Sequence, residues 1–355
     1  MAPERSRAFA PGRVNLIGEH TDYNDGLALP FAIAAGITVS ATAQPAPSGA
    51  AEQVAVHARD LDERDRFALA APPRASGWRA FARGVVAELG EARFPLVGAE
   101  LEIGGELPRG AGLSSSAALE VALCLAMIDL GARAQPPASA LDRTALARLC
   151  ARVENDWAGA QTGLLDQLAS LYGAPEKALC IDFSTLAIDP VPLRLGGWRL
   201  VLLDSGERHE LAGSGYNERR SECARACQLL GIASLRDAGE QELERLPEPL
   251  RSRAVHVLGE NDRVRAAASA LRADDLRRLG ALLDASHRSL RENYDVSTPA
   301  VERAVERLQR AGASGARLVG GGFGGSVLGL FAPGSQPPPG AYEVRPCAGA
   351  RLLAR

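Results

Sequence analysis

The first half of the chain alternates two hydrophobic patterns. Short segments in which apolar and polar residues alternate, or in which β-branched residues dominate, predict strands, and apolar positions at helical spacing predict helices. One helix differs from the others because residues 115–130 are apolar almost all round, with Glu120 as the only charge before Asp129. This pattern predicts a buried helix. The predicted strands are 37–43, 54–59 and 99–103, the predicted helices are 78–89, 115–130 and 141–158, and the polar connector is 131–139.

The second half of the chain differs in composition and is predicted to be mainly helical. After two short strands, long helices rich in arginine and glutamate cover residues 216–310, with charges at i, i+4 spacing on their solvated faces. The chain closes with two strands around a glycine turn and a last short strand after a Pro-rich loop. The shift predicts two domains, 1–195 and 196–355, with the option that the last strand returns to the first. The predicted strands are 178–183, 198–204, 316–319 and 326–331.

Bulk composition is that of an ordinary globular protein, with 46% hydrophobic and 23% charged residues in a chain of 355. A net charge of −3 gives no reason to expect nucleic acid or an anionic membrane as a partner. The first nine residues lack the apolar core of a signal peptide, and the apolar run Val121–Ile128 is too short to span a membrane. We therefore expect a cytoplasmic protein whose six cysteines are free thiols.

A polar segment runs from Ala10 to Gly26 in a chain otherwise rich in alanine and leucine. Its side chains are the donors and acceptors that a small, hydroxyl-rich ligand needs once it leaves water. Apolar neighbours such as Leu16 and Ile17 would tether the segment to a core and hold those groups still. The alternative is a solvated N-terminal loop. The polar residues are Arg13, Asn15, Glu19, His20, Asp22 and Asn24.

A serine-rich loop precedes the predicted buried helix, where Leu107–Ala117 reads Leu-Pro-Arg-Gly-Ala-Gly-Leu-Ser-Ser-Ser-Ala. Glycines let a backbone approach a ligand closely, and serines at a helix start add hydroxyls to free N–H groups and the positive end of the dipole. The pattern predicts a phosphate site. The alternative is a helix cap, for which one serine would suffice. It is neither a Walker loop nor the Gly-x-Ser-x-Gly elbow of a serine hydrolase.

A second glycine loop, Gly320–Gly325, satisfies Gly-x-Gly-x-x-Gly. A dinucleotide fingerprint should open a helix, but the next residues, Ser326–Phe331, have a strand pattern. We interpret the loop as a tight turn whose bare backbone packs against or beside a bound phosphate, the alternative being a purely structural turn.

The 40 basic residues include a single lysine, Lys177. Coding bias toward arginine is a sufficient explanation. The composition still constrains mechanism, because any scheme that needs a phosphate-binding lysine must use Lys177.

Together these residues resemble the GHMP family of small-molecule kinases and, within it, the galactokinases, over essentially the whole chain. The segment Pro11–Tyr23 points to galactose, whereas the serine loop, Gly163–Gln167 and the glycine loop mark the superfamily. The departure is Leu318-Val319, where galactokinases more often have Met-Thr, so that a side-chain hydroxyl is lost. Three more segments resemble galactokinases: Arg208–Leu211, Gly215–Arg220 and Ser286–Leu290.

The resemblance implies an α/β (α+β) fold of two domains, with the active site in the cleft between them. The N-terminal domain would resemble domain 2 of ribosomal protein S5, and the C-terminal domain would be ferredoxin-like. The implied reaction is ATP-dependent phosphorylation of D-galactose at its C1 hydroxyl with Mg²⁺. The implied enzyme is cytoplasmic and monomeric, with small-molecule substrates and no nucleic-acid or membrane partner.

The resemblance also implies roles for particular residues. Asp166 would be the catalytic carboxylate, with Arg13 as its cationic partner, and would chiefly orient the C1 hydroxyl and accept its proton late. Ser116 and Glu154 would hold Mg²⁺, which takes oxygen ligands. The sugar would be lined by Glu19, His20, Asp22, Gly163 and Tyr216. ATP would contact Trp78 near its adenine, and Gly110, Gly112, Leu113, Ser114, Ser115, Ser116 and Ala117 around its phosphates.

Two other functions remain open at this stage. A related sugar kinase would act on L-arabinose, N-acetylgalactosamine or galacturonate, although the negative charges of Glu19 and Asp22 argue against a carboxylate substrate. A catalytically silent sensor of galactose and ATP should show damage in the serine loop or at Asp166, and both are intact in the sequence.

Overall fold

A computed structural model describes residues 4–44, 46–47, 50–107, 110–134, 142–207 and 214–354. Residues Pro108–Arg109 of the serine loop, the segment Arg208–Leu211 and most of the predicted connector lie outside the described residues. The strands are β1 (Arg5–Asn15), β2 (Leu27–Ala28), β3 (Pro30–Ala43), β4 (Gln53–Ala58), β5 (Glu63–Ala68), β6 (Ala99–Gly105), β7 (Lys177–Asp182), β8 (Ala187–Pro192), β9 (Arg199–Asp204), β10 (Ala313–Leu318), β11 (Ser326–Phe331), β12 (Tyr342–Val344) and β13 (Arg351–Leu352). The helices are α1 (Trp78–Glu91), α2 (Ser115–Ala134), α3 (Arg143–Arg152), α4 (Leu165–Tyr172), α5 (Ser214–Leu230), α6 (Glu240–Leu243), α7 (Leu250–Arg272), α8 (Leu276–Glu292) and α9 (Pro299–Arg310).

The first sheet has the strand order β13-β1-β3-β6-β4-β5. All of its neighbouring strands are antiparallel except β4 and β6, which run parallel. The N-terminal half of β1 alternates exposed and buried residues, as a strand covered on one face does. Helix α2 packs against β1 and β3 from the covered face. The last strand reaches this sheet, since Ala8 of β1 pairs with Leu352 of β13.

The second sheet has the order β10-β11-β9-β12, and a third, small sheet has the order β2-β7-β8. Helices α8 and α9 pack against β10. The glycine loop Gly320–Gly325 connects β10 to β11, which are paired antiparallel, as the strand pattern after the loop predicted. This loop therefore lies in a hairpin and does not open a helix.

Two hydrophobic cores form, and they do not divide cleanly at residue 196. The smaller core lies within the second half, between α5, α7, α9 and the second sheet. The larger core surrounds α2 but also takes in Val264 and Leu271 of α7 and Leu328 of β11. The division into 1–195 and 196–355 therefore stays a prediction.

Helix α2 is buried, as its all-round apolar pattern predicted. By length and composition it is long enough to cross a membrane, but 78% of its most apolar stretch is covered by the protein's own core. The helix continues to Ala134, so the predicted connector begins too early at residue 131.

Strands β1, β2, β5 and β8 were not predicted, and the one short strand predicted after the Pro-rich loop corresponds to two strands, β12 and β13. The polar segment obscured β1, because the end of the strand carries the polar residues Arg13 and Asn15, which still pair with β3. Strand β5, with the sequence Glu-Arg-Asp-Arg-Phe-Ala, has too few apolar residues to show a period of two, since it lies at the edge of the sheet.

Candidate active site

The polar segment leaves the sheet at Asn15 and folds into a tight turn before β2. Gly18 has a φ of 103° and His20 a φ of 62°, both in the left-handed region. The turn holds itself together, because Thr21 Oγ1 donates to the Gly18 carbonyl at 2.9 Å and Asn24 Nδ2 donates to the His20 carbonyl at 2.8 Å. Asn24, one of the polar residues of the segment, thus supports the turn.

Helix α7 holds the same turn from outside through three buried side chains. His256 Nε2 donates to the Glu19 carbonyl at 3.2 Å, Glu260 Oε1 accepts from Gly18 N at 2.9 Å, and Asn261 Oδ1 accepts from Leu27 N at 2.8 Å. Although burial opposes it, the positive charges of Arg263 and His256 lower the pKa of Glu260 to about 2. The polar segment is therefore clamped by an ionised carboxylate from the second half of the chain.

Arg13 and Asp166 form the centre of the site. Arg13 Nε and Nη2 lie 2.8 Å and 2.7 Å from Asp166 Oδ1, and Arg13 is buried. Ser114 Oγ donates to the other carboxylate oxygen, Oδ2, and Arg13 Nη1 donates to the Gly112 carbonyl. Both predicted catalytic residues are thus brought together, and the first serine of the loop is turned toward Asp166.

The serine loop depends on its backbone conformation. Gly110 and Gly112 have φ values of 65° and 74°, and Ser114 has 59°. A Cβ on Gly112 would lie 2.8 Å from the Val319 carbonyl, just before the glycine loop. The glycine loop therefore packs directly on the serine loop, which makes it part of the wall of the site.

The end of the serine loop meets a cluster of buried oxygen atoms. Ser116 Oγ donates to Glu154 Oε1 at 2.7 Å, while Thr162 Oγ1 and Gln167 Nε2 donate to Glu154 Oε2 at 2.8 Å and 2.9 Å. Glu154 lies in a π-helical turn, Val153–Trp157, between α3 and the loop before α4. Burial and the charge of Asp166 raise the pKa of Glu154. The two residues predicted to hold Mg²⁺ are thus in direct contact.

The polar segment contributes two carboxyl groups and one imidazole to this region, those of Glu19, Asp22 and His20. Glu19 is buried, and its Oε1 accepts from Gly320 N at 2.7 Å. A Cβ on Gly163 would lie 2.1 Å from Asp22 Oδ2, so only glycine fits beside this carboxylate. Burial and the charges of Asp166 and Glu19 raise the pKa of Asp22 from 3.8 to about 7.

His20 lies in a group of aromatic rings. Its ring centroid is 5.3 Å from that of Tyr216 and 4.6 Å from that of Tyr294, and its Nδ1 lies 2.7 Å from the Tyr23 hydroxyl. Burial lowers the pKa of His20 well below its usual value, so the ring is neutral. The backbone of Gly321, in the glycine loop, also interacts with the ring and opposes this lowering of the pKa.

Trp78, which was predicted to lie near the adenine of ATP, takes part in none of the contacts described above. Its indole N–H donates to Glu63 Oε2 at 2.8 Å, and the guanidinium of Arg79 lies 4.9 Å from its ring centroid. The ring is half-buried at the first turn of α1.

Several residues of the site were missed by sequence reasoning. Glu120 is fully buried on α2 and accepts from Gln167 Nε2 at 3.3 Å, and Arg317 is fully buried on β10 beside Glu19. A signal existed for both, since each is a charge inside an otherwise apolar helix or strand. Thr162 carried no such signal.

Comparisons with known proteins place the whole chain in one group. Residues 2–43 match a galactokinase galactose-binding signature, residues 80–174 match the GHMP kinase N-terminal domain, and residues 267–345 match the GHMP kinase C-terminal region. A galactokinase from Mycobacterium bovis is 44% identical over 328 residues, which cover 90% of this chain and 87% of that one. A galactokinase from Thermotoga petrophila is 38% identical over 92% of this chain and 89% of its own.

Solved structures also match this chain in fold. The crystal structure of Lactococcus lactis galactokinase complexed with galactose matches with a TM-score of 0.88 at 31% identity, over 99% of this chain and 95% of that one. A mevalonate kinase structure, 17% identical over 96% of this chain and 98% of its own, matches with a TM-score of 0.66 and shares the fold. The predicted fold class is confirmed.

Asp22 gives a prediction for the ligand-free protein. A carboxyl whose pKa is raised on folding binds more protons when folded, so its ionisation destabilises the fold as pH rises from 3.8 toward about 7. We expect Asp22→Asn to be more stable than the wild type by at least about 1 kcal/mol at pH 8 and by less at pH 5. Urea denaturation at both pH values measures this, with the exposed Asp25→Asn as control. A difference that does not grow with pH would contradict the prediction.

Proposed function

The chain belongs to the galactokinases of the GHMP kinase superfamily, and we propose that it transfers the γ-phosphoryl group of ATP to the C1 hydroxyl of D-galactose. The products are galactose 1-phosphate and ADP. The observation that carries this proposal is the contact of Arg13 and Asp166 with the serine loop on one side and the polar segment on the other. A sugar held by the segment would present a hydroxyl to Asp166 beside the loop that faces the phosphates.

Asp166 is suited to holding a hydroxyl in line for transfer. Two nitrogen atoms of Arg13 and the hydroxyl of Ser114 fix both of its oxygen atoms. In the proposed step, the C1 oxygen bonds to the γ-phosphorus, the bond to the β,γ-bridging oxygen breaks, and the hydroxyl proton passes to Asp166. Because phosphoryl transfer has a loose transition state, the proton leaves late, and alignment with charge neutralisation does most of the work.

The positive field around the phosphates comes from several sources other than lysine. Lys177, the single lysine, is exposed at the start of β7 in the small third sheet. Arg13 is buried at the serine loop, and the loop precedes the N-terminus of α2, whose free N–H groups favour anions. We therefore assign the phosphates to the loop Gly110–Ala117, with Ser115 and Ala117 at the helix start, and the adenine to the region of Trp78.

Mg²⁺ fits the oxygen cluster around Glu154. Within the described residues no group of three or more His, Cys, Asp or Glu side chains forms a metal site. One buried carboxylate and one hydroxyl are a sufficient protein contribution for Mg²⁺, which keeps waters and phosphate oxygens as its other ligands. Ser116 and Glu154 would hold the ion. When bound, it would neutralise charge on the phosphates of ATP.

The sugar is assigned to Glu19, His20, Asp22, Gly163 and Tyr216. Tyr216 is half-buried in the first turn of α5, and a Cβ on Gly321 would lie 2.9 Å from its Cδ2. The aromatic rings around His20 offer an apolar face, whereas Glu19 and Asp22 accept hydrogen bonds from hydroxyls. The two carboxylates disfavour a galacturonate substrate through charge repulsion.

We further propose a monomeric enzyme of the cytoplasm that has no nucleic-acid partner and does not act at a membrane. Its net charge of −3 supports the absence of nucleic acid, and its six free thiols, three of them buried, are compatible with a reducing compartment.

The proposed substrate is tested by measuring ADP release with Mg²⁺-ATP over a panel of sugars. We expect the largest kcat/KM for D-galactose among galactose, L-arabinose, N-acetylgalactosamine and galacturonate, and NMR should locate the phosphate on C1. Turnover of another member of the panel with none on galactose would overturn the assignment. Tight binding of galactose and ATP without turnover of any sugar would indicate the silent sensor.

Asp166→Asn keeps the shape of the side chain but removes its capacity to accept a proton. We expect kcat to fall by about 10² to 10⁴, the usual worth of a positioned proton acceptor. The measurement is kcat for galactose at saturating ATP. The matched control is Asp189→Asn, since Asp189 is exposed on β8 and pairs with Arg272. Retention of more than about a tenth of kcat would contradict an essential role for this proton acceptor.

Glu154→Gln tests the assignment of Mg²⁺. Loss of the single acidic ligand should raise the Mg²⁺ concentration for half-maximal activity by about 10-fold or more, and the KM for galactose should change far less. Titration of Mg²⁺ at fixed ATP measures this. Glu88→Gln is the control, because Glu88 is also buried but pairs with Arg152 on the outer side of α3. An unchanged Mg²⁺ requirement would reject the assignment.

A further inference from the structure

Arg317 is a fully buried arginine that the proposed mechanism does not use. It lies on β10, in the second half of the chain, and it is the largest of the fully buried side chains that the structure describes. Its Nη1 donates to the main-chain oxygens of Asn15 at 3.0 Å and Leu16 at 3.1 Å. These two residues end β1 and begin the turn that carries Glu19.

The same guanidinium reaches the Glu19 side chain. Arg317 Nη2 lies 3.5 Å from Glu19 Oε1, the oxygen that also accepts from Gly320 N at 2.7 Å. One carboxylate oxygen is thus held by β10 and the start of the glycine loop, and in the proposed function the carboxylate accepts from a sugar hydroxyl. Residues of the second half of the chain therefore hold a carboxylate that belongs to the first half.

Arg317 is poorly explained by stability alone. Its Nε is buried without a hydrogen-bond partner, and its Nη2 has the ion pair with Glu19 but no hydrogen bond; buried polar groups in such a state destabilise a fold. A leucine or methionine in β10 would avoid that penalty, since replacing buried charges by well-packed apolar side chains is often neutral or stabilising. Burial raises the pKa of Glu19, and the positive charge of Arg317, ahead of that of Arg13, opposes the shift.

We propose that Arg317 is a positioning residue for sugar recognition, which keeps Glu19 charged and oriented through its contacts with Glu19 and with the carbonyls of Asn15 and Leu16. This inference rests on the proposed function, because it assigns Glu19 to the sugar. It makes the affinity for the sugar depend on β10, which lies outside the N-terminal polar segment. ATP binds elsewhere in the site and should not sense Arg317.

A double-mutant cycle tests the proposal, using Arg317→Met, Arg317→Lys, Glu19→Gln and the double variant Glu19→Gln/Arg317→Met. We expect Arg317→Met to raise the KM for galactose by about 10-fold or more, the worth of one hydrogen bond to a charged group, with the KM for ATP within about twofold. Arg317→Lys, which keeps the charge, should recover part of the loss. In the Glu19→Gln background, Arg317→Met should change the KM for galactose by less than about twofold.

The matched control is Arg83→Met, which removes an arginine paired with Asp65 at 2.7 Å, between α1 and β5. It should leave the KM for galactose unchanged. If Arg317→Met alone does not fold, Arg317→Lys and the comparison of Glu19→Gln with the double variant still decide the question, because the double variant leaves no unpaired carboxylate.

Two results would overturn the proposal. One is an unchanged KM for galactose in Arg317→Met and Arg317→Lys, and the other is an effect of Arg317→Met that is equally large with and without Glu19. A wild type that phosphorylates a different sugar overturns the substrate assignment only, and the same cycle on that sugar still tests Arg317.

Discussion

The ion pair between Arg13 and Asp166 is the interaction on which the rest of the site depends. It joins residues 153 positions apart, at the end of β1 and the start of α4, and it extends to the serine loop through the Gly112 carbonyl and the Ser114 hydroxyl. The planar fork of arginine can make these contacts at once, whereas a lysine supplies a single point charge. A buried pair is useful only when its geometry is so constrained, since desolvation otherwise cancels the attraction.

The contacts of Arg13 and Asp166 with the serine loop in turn require an unusual backbone conformation in that loop. Gly112 and Ser114 both have positive φ values, and Gly112 lies against the Val319 carbonyl, so the serine loop is pressed between Arg13 and the glycine loop. Ser114 holds a conformation that is unfavourable for a residue with a side chain, and the surrounding contacts maintain it. The two glycine-rich loops are thus one structural unit, although more than 200 residues separate Gly112 from Gly320 along the chain.

The sequence predicts much of this arrangement but not all of it. Elements with strong periodicity, such as α2 and β11, are where the pattern placed them, because burial on one face or all round determines the spacing of apolar residues. Arg13 contacts Asp166, and Ser116 contacts Glu154, while the roles that the family resemblance implies for them stay predictions. Edge strand β5 and strand β1 were not predicted, since their composition reflects exposure or function more than packing. Contacts such as that of Arg317 with Glu19 join distant segments, and local patterns carry no information about such pairs.

The polar segment is recognisable as a signature on its own, yet its internal hydrogen bonds are only part of what holds its shape. His20 has a positive φ, which is costly for a residue with a bulky side chain, and the neighbouring carbonyl of Glu19 is bound by His256 of α7. Gly18 and Leu27, at either side of the turn, donate to Glu260 and Asn261 of the same helix. Contacts with the second half of the chain thus help to keep the polar side chains of this turn in place. The first sheet and its polar segment alone would therefore lack these constraints, and the proposed sugar site depends on both halves of the chain.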